Sequence, residues 1–461
     1  MSAKFVNVDR DTALLLPPDM RTWVPADHLV HFILDAVEQL DLGAARVNER
    51  GTGSEQYPPS LLLGLLIYSY ATGVFASRQI ERSTFDSVAV RVLCADTHPD
   101  HDTLCAFRRQ NAALVQRAFA QVLELAAGCG VLKVGTVTVA IDGTKVLANA
   151  SKHAAVSHGH AQTTLRSLDE EIAQLLAKAE QADATPLQDG LTIPAEVARR
   201  QERKARLQLA KAEMEARAYA RFQAEQTAYQ ASVARRQAQE ATGKKPRGRP
   251  PKAPDPQPAD TDQVNFTDPD SRIMPTKDGF QQSYNAQAGV DVHSRLIVGA
   301  RVSQAPTDKQ ELGADVAVVR AHVPVGTVLV DSGFASEPAI RALEHDEHGR
   351  PTGLTVLAAW QHHAHGRTVA QLEKRVDPPA PAPAAPLAEH LRHRTATAAG
   401  RAFYSLRQQT VEPVFGIIKE VLGFRRFSLR GLAKVGLEWD LVCLAYNLKR
   451  LHTLSAKLRV A

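Results

Sequence analysis

"VTVAIDGTKV", residues 137–146, is the stretch on which the fold turns. Val137, Val139 and Ile141 alternate with Thr138 and Ala140, the period-2 pattern of a strand with at least one buried face. The apolar run stops at Asp142, and Gly143 directly after it permits a tight backbone turn. Burying an unpaired carboxylate is costly, so an acid beside a core strand needs a partner or a task.

The same pattern recurs in "VLVDSGF" (328–334), an apolar run with Asp331 at its end and Gly333 shortly after. Between the two lies "YNAQAGVDVHSRLIVGARVS" (284–303), two alternating runs joined at His293 to Arg295, which predicts a hairpin. "GLTVLAAW" (353–360) adds a further buried strand. Strand with Asp, hairpin, strand with Asp, strand, and a late acidic helix is the element order of a ribonuclease H-like fold. The expected class is therefore α/β, a mixed sheet with flanking helices. Both aspartates then reach one edge of that sheet.

A third acid is expected from a helix crossing the same edge. "YSLRQQTVEPVFGIIKE" (404–420) offers Glu412, with Lys419 on the same face seven residues on, at about 100° per residue. Three carboxylates are the usual oxygen donors for Mg²⁺ in phosphoryl transfer. Asp142, Asp331 and Glu412 are thus the candidate catalytic and metal-binding residues, with Lys419 placed to touch a DNA phosphate. Asp291, Asp308 and Glu420 stand as alternative acids, and a lone aspartate at a strand end is also a common turn former.

Residues 1–130 read as helical, with Pro59 at the start of a buried helix and Asp100 or Asp102 as a cap for a later one. Arg108 and Arg109 on that later helix suit a DNA reader, against the plainer reading of a helical bundle. The period changes at 131, which predicts a boundary between a helical N-terminal DNA-binding domain (1–130) and the catalytic domain (131–461). Helix returns over 161–241, too thin in apolar residues for a core of its own, so an exposed helical insertion is expected. A basic linker follows (242–262), where Arg247-Gly248-Arg249-Pro250 resembles an AT-hook core suited to a narrow A·T minor groove. Cys94, His98, His101 and Cys105 have spacings compatible with zinc, though no second cysteine pair reinforces them.

Charge is unevenly spread. Residues 391–461 carry 13 Lys and Arg against 4 Asp and Glu in a chain of net charge +5, which favours a polyanionic partner. Four cysteines are too few for a disulfide framework in 461 residues and fit a reducing cytosol. The opening "MSAKFVNVDRDTALLL" is not a signal peptide by pattern, and "LLLGLLIYSYATGVFA" (61–76) is short and interrupted for a membrane span, so no membrane association is expected.

With these motifs, the chain resembles a bacterial insertion-sequence transposase of the DDE class. "YPPSLLLGLLIYSYATGVFASRQIE" is similar to the helical N-terminal domain of such proteins. "GFQQSYNAQAGVD" and "VEPVFGIIK" are similar to their catalytic-domain motifs. The resemblance implies that Asp142, Asp331 and Glu412 bind two Mg²⁺ ions, for which Mn²⁺ substitutes. It implies cleavage at the terminal inverted repeats of the element and joining of the freed 3′-hydroxyls to target DNA. The implied partners are double-stranded DNA and further copies of the chain, a homodimer or larger, in the bacterial cytoplasm at the nucleoid. Tyr404, Arg407, Glu412 and Lys419 follow the Tyr-Arg-Glu-Lys signature of many such enzymes, with one extra residue between Arg407 and Glu412. That offset sets Arg407 about 140° from Glu412 on an unbroken helix. Pro413 suits a first helical turn, which would put Glu412 at the helix start and Tyr404 outside it. The rival functions are a DNA-binding regulator on an inactive transposase scaffold and a metal-dependent nuclease without strand transfer.

Overall fold

The computed structural model describes residues 19–47, 56–133, 135–182, 193–243, 248–359 and 377–460. Six α-helices come first: α1 (Leu29–Glu38), α2 (Pro59–Ala71), α3 (Ser77–Asp86), α4 (Val88–Leu93), α5 (His101–Gln110) and α6 (Ala112–Gly128). Pro59 opens α2 where its missing N–H costs nothing, and every residue from Leu62 to Ala71 is buried. Asp100 caps α5, its carboxylate accepting from the Thr103 N–H at 2.8 Å. No described helix is long and apolar enough to cross a membrane.

The strands follow as β1 (Val137–Leu147), β2 (Ala155–Ser157), β3 (Gln263–Asn265), β4 (Arg272–Thr276), β5 (Gly279–Asp291), β6 (Ile297–Ser303), β7 (Val325–Val330) and β8 (Thr355–Ala358). Helices α7 (His158–Ala182) and α8 (Ile193–Ala241) lie between β2 and β3. Further helices are α9 (Leu312–Arg320), α10 (Glu337–Glu344), α11 (Leu387–Ala396), α12 (Ala398–Gly416) and α13 (Leu432–Val460). The described strands of the main sheet run β4-β5-β1-β7-β8, with β6 also paired to β5. The β5–β6 pair is antiparallel, whereas β1–β7 and β7–β8 are parallel, so the sheet is mixed.

The chain divides into two compact units. The first comprises residues 1–144, 285–429 and 433–461, and holds α1–α6 together with the β1–β7–β8 core. Within this unit the N-terminal helices pack on α13. Tyr70 of α2 hydrogen-bonds Glu438 of α13 at 3.3 Å, and Lys449 donates to the Ala71 carbonyl at 2.8 Å. On the other side of α13, Trp439 donates to the Gln287 carbonyl at 2.9 Å. The Asn447 amide both accepts from the Ile297 N–H and donates to the Ile297 carbonyl, at 2.8 Å each, as a neighbouring strand would. Helix α9 packs closely on the hairpin: a Cβ at Gly299 would come within 3.0 Å of Val319 backbone atoms.

The second unit comprises residues 145–284 and 430–432. Helices α7 and α8 pack on each other, and β2 pairs antiparallel with β3 at their base. Val156, Leu168, Leu207, Met214 and Val264 form a hydrophobic cluster there. The insertion therefore has a core of its own, contrary to the sequence expectation. The cluster escaped notice because its members come from four separated elements, each sparse in apolar residues.

Candidate active site

Strand β1 does not end at Asp142 but continues to Leu147. Gly143 is consequently not a turn residue. A Cβ there would lie 2.5 Å from Gln287 Nε2, 2.8 Å from Asn285 Oδ1 and 2.8 Å from Asp308 Oδ1, so the position requires glycine for close approach.

Val139 pairs with Val328 and Ala140 with Leu329 across the parallel β1–β7 ladder. The same step carried two residues further sets Asp142 and Asp331 level on neighbouring chains. Asp331 also shapes its own turn. Its Oδ1 accepts from the Gly333 N–H at 2.7 Å and the Phe334 N–H at 3.3 Å, capping the 3₁₀ turn Ser332–Phe334.

Glu412 lies within α12, which begins at Ala398 and carries Pro413 inside it. Tyr404 and Glu412 thus share one helix, and the expected helix start at Glu412 is wrong. Thr397 provides the true cap, accepting from the Gly400 N–H at 3.0 Å. Pro413 cannot donate to the turn before it, and the helix passes into a π-helical turn at Ile417–Val421.

Arg407 and Tyr404 face inward on α12, with Val411 and Val414 at helical spacing behind them. The Tyr404 hydroxyl donates to the Val330 carbonyl at 3.0 Å, fixing α12 to the end of β7. Burial raises the Tyr404 pKa, which keeps it a donor. Arg407 Nη1 reaches Asp142 Oδ2 at 3.2 Å, and Nη2 reaches Glu412 Oε1 at 3.2 Å. The 140° offset did not exclude this contact, because a long guanidinium stem spans it. Arg407 is nearly buried, and its Nε has no partner.

Burial pushes the Asp142 pKa up to about 6, with the charges of Asp331 and Asp308 adding to it and Arg407 and the Gly143 N–H opposing it. Lys419, on the π-helical turn, donates to Thr144 Oγ1 at 2.5 Å, two residues along β1 from Asp142. Asp308 accepts from Asn285 Nδ2 at 2.6 Å and Gln287 Nε2 at 2.7 Å, while Asn285 Oδ1 and Gln287 Oε1 are buried without partners. These three residues were not singled out together from the sequence. The signal was present in "YNAQ": two polar residues two apart, on one face of a buried strand.

Other candidates fall elsewhere. Arg108 is buried, donating to the Tyr70 hydroxyl at 2.7 Å and the Phe75 carbonyl at 3.2 Å, so it is not a DNA contact. Arg109 is exposed on α5, its Nε donating to the Cys105 carbonyl. Arg249 is exposed, and Arg247 lies outside the described residues. Asp291 caps the hairpin turn by accepting from Ser294, and Glu420 pairs with Arg425. The proposed zinc residues have separate partners: His98 stacks on Phe85, His101 pairs with Glu81, Cys105 donates to Ser77, and Cys94 is buried with its thiol pKa pushed up to about 12.

Among the described residues, no three His, Cys, Asp or Glu side chains are gathered to hold a metal ion. The donor set nevertheless suits a hard cation: Asp142, Asp331 and Glu412 offer carboxylate oxygens alone, and a positive charge already lies between two of them.

Residues 380–452 match a family model described as a transposase DDE domain, and residues 18–110 match one described as a transposase domain (DUF772). No curated protein and no solved structure matches the chain. The two matches, one towards each end of the chain, support an insertion-sequence transposase of the DDE class.

Proposed function

We propose that this chain, which the two family matches indicate to be a transposase, acts on double-stranded DNA with Asp142, Asp331 and Glu412 as its catalytic acids. It recognises the inverted repeats at the ends of its element, breaks a phosphodiester bond at each end and joins the freed 3′-hydroxyls to target DNA. The observation that carries this reading is the parallel β1–β7 register, which runs Asp142 and Asp331 towards the same edge of the sheet, with the charge of Asp331 acting on Asp142 and Arg407 linking Asp142 to Glu412. The strand order, a central β1 flanked by an antiparallel hairpin on one side and two parallel strands on the other, supports a ribonuclease H-like catalytic core.

In this mechanism Asp142, Asp331 and Glu412 would hold the divalent ions. Mg²⁺ (or Mn²⁺) would supply a lowered pKa for the attacking water or hydroxyl and positive charge for the leaving oxygen. The Tyr404–Val330 hydrogen bond keeps α12 against the end of β7, and Arg407 on that helix links Glu412 to Asp142. Lys419 presents its ammonium beside Thr144, where it contacts a phosphate of the bound strand. Were Asp142 and Glu412 to hold the ions, the charge of Arg407, which they share here, would be available to the DNA backbone. Cutting two ends in concert calls for at least two copies of the chain.

Incubating the protein with labelled inverted-repeat ends, a target plasmid and Mg²⁺ tests this function. Joined product is expected. Cut ends without joining point to a nuclease, and bound but uncut DNA points to a regulator; either outcome overturns the proposal.

A further inference from the structure

The second unit carries a basic surface of its own. Two adjoining cavities, of about 390 Å³ and about 600 Å³, share Ala155, Val156 and His160 at their floor. Arg199, Arg203 and Arg206 of α8 wall the first, and Lys152, His153 and Phe280 wall the second. Glu202 is the one acid among the described lining residues. Arg199 is neutralised by Glu196 at 3.0 Å. Among the described residues, no carboxylate forms an ion pair with Lys152, Arg203 or Arg206. Arg206 is held over the Phe266 ring, 5.5 Å from its centroid, an attraction that orients the guanidinium without cancelling its charge.

The spacing of these cations suits an extended anion more than a small one. Residues 199, 203 and 206 share one face of α8 and span about 10 Å at ~1.5 Å per residue. Duplex DNA presents one charge per ~1.7 Å of axis, so several phosphates pass along that length. Lys152, in the turn just before β2, extends the positive strip, with His153 beside it. Phe280, 67% exposed beside them, adds a flat apolar surface of the kind that packs on a deoxyribose.

We propose that this surface, formed by Lys152, Arg203, Arg206 and Phe280, binds the sugar–phosphate backbone of duplex DNA. The insertion is then a DNA-holding element of the protein. The proposal rests on the reading of the chain as a DNA-acting transposase, and it uses none of the residues assigned to the catalytic site.

The test is fluorescence anisotropy of the full chain on a duplex of roughly 30 base pairs, without divalent ions, from about 50 to 300 mM KCl. A Lys152→Glu/Arg203→Glu double variant, checked for unchanged melting temperature, is expected to bind at least about tenfold more weakly at 100 mM, with a log–log salt slope shallower by about 2. Phe280→Ala is expected to weaken binding and leave the slope intact, because an apolar contact releases no counterion. Wild-type binding with a double variant of equal affinity, or weaker binding at an unchanged slope, overturns the proposal alone. A wild-type chain that binds no duplex overturns the transposase reading as well. Loss of polyglutamate binding with DNA affinity retained assigns the surface to an acidic protein and overturns the proposal.

Discussion

Arg407 lies 3.2 Å from Asp142, a residue on a different element, and its second terminal nitrogen lies 3.2 Å from Glu412. One guanidinium therefore stands between two of the three acids assigned to catalysis. In the metal-free protein it offsets the repulsion that Asp331 imposes on Asp142 and the cost of burying that carboxylate.

Removing that charge makes the site more dependent on metal. Arg407→Ala is expected to lower the melting temperature of the metal-free protein and to increase the stabilisation given by millimolar Mg²⁺ or Mn²⁺ relative to wild type. Scanning fluorimetry with and without the ion reads this directly. An equal metal response in both proteins contradicts the assignment of Arg407 to this place.

Gly143→Ala should cost about 1–3 kcal/mol in urea unfolding, because its methyl group meets Gln287, Asn285 and Asp308 at once. Two of those contacts are buried carboxamides that cannot swing into water. A neutral result would show that the cluster yields freely.

Arg108→Met removes the cation that donates to the Tyr70 hydroxyl and whose charge faces Glu438 beyond it. Leaving those buried polar groups without it is expected to destabilise the chain by about 2–4 kcal/mol. The salt dependence of DNA binding by the folded variant should match wild type, since Arg108 is buried. A shallower slope would return it to the DNA interface.

Asp440 supplies a pH dependence. Burial pushes its pKa up to about 6, partly opposed by a hydrogen bond from Gln116. The folded state then holds its proton more firmly than the unfolded chain, whose aspartate titrates near ~3.9. Stability from this group is fully present below about pH 4 and is lost as pH rises through about 6, by up to about 3 kcal/mol. Asp440→Asn should flatten that decline in unfolding measured across the window.

Much of the candidate site was legible because its signals are local. The strands carrying Asp142 and Asp331 announce themselves by alternation and by an acid where the apolar run stops. Glu412 and Lys419 sit in one short helical stretch. What stayed hidden depends on distant neighbours. The letter Gly at 143 reads equally as a turn or as a close approach, and only the packing of Asn285, Gln287 and Asp308 separates the two. Arg108 looks like a surface cation until Tyr70 and Glu438 close over it. Pro413 suggests a helix start, but Thr397 and the inward face of Tyr404, Arg407 and Val411 place the start a dozen or more residues earlier.

The most direct measurement is Mg²⁺-dependent cleavage of a duplex bearing the inverted repeats that flank the gene, by wild type and by Asp142→Asn. The substitution keeps size and removes charge, so binding of the duplex should persist while release of the 3′-hydroxyl end falls by at least about a thousandfold. Cleavage by Asp142→Asn at the wild-type rate would contradict the account at its centre.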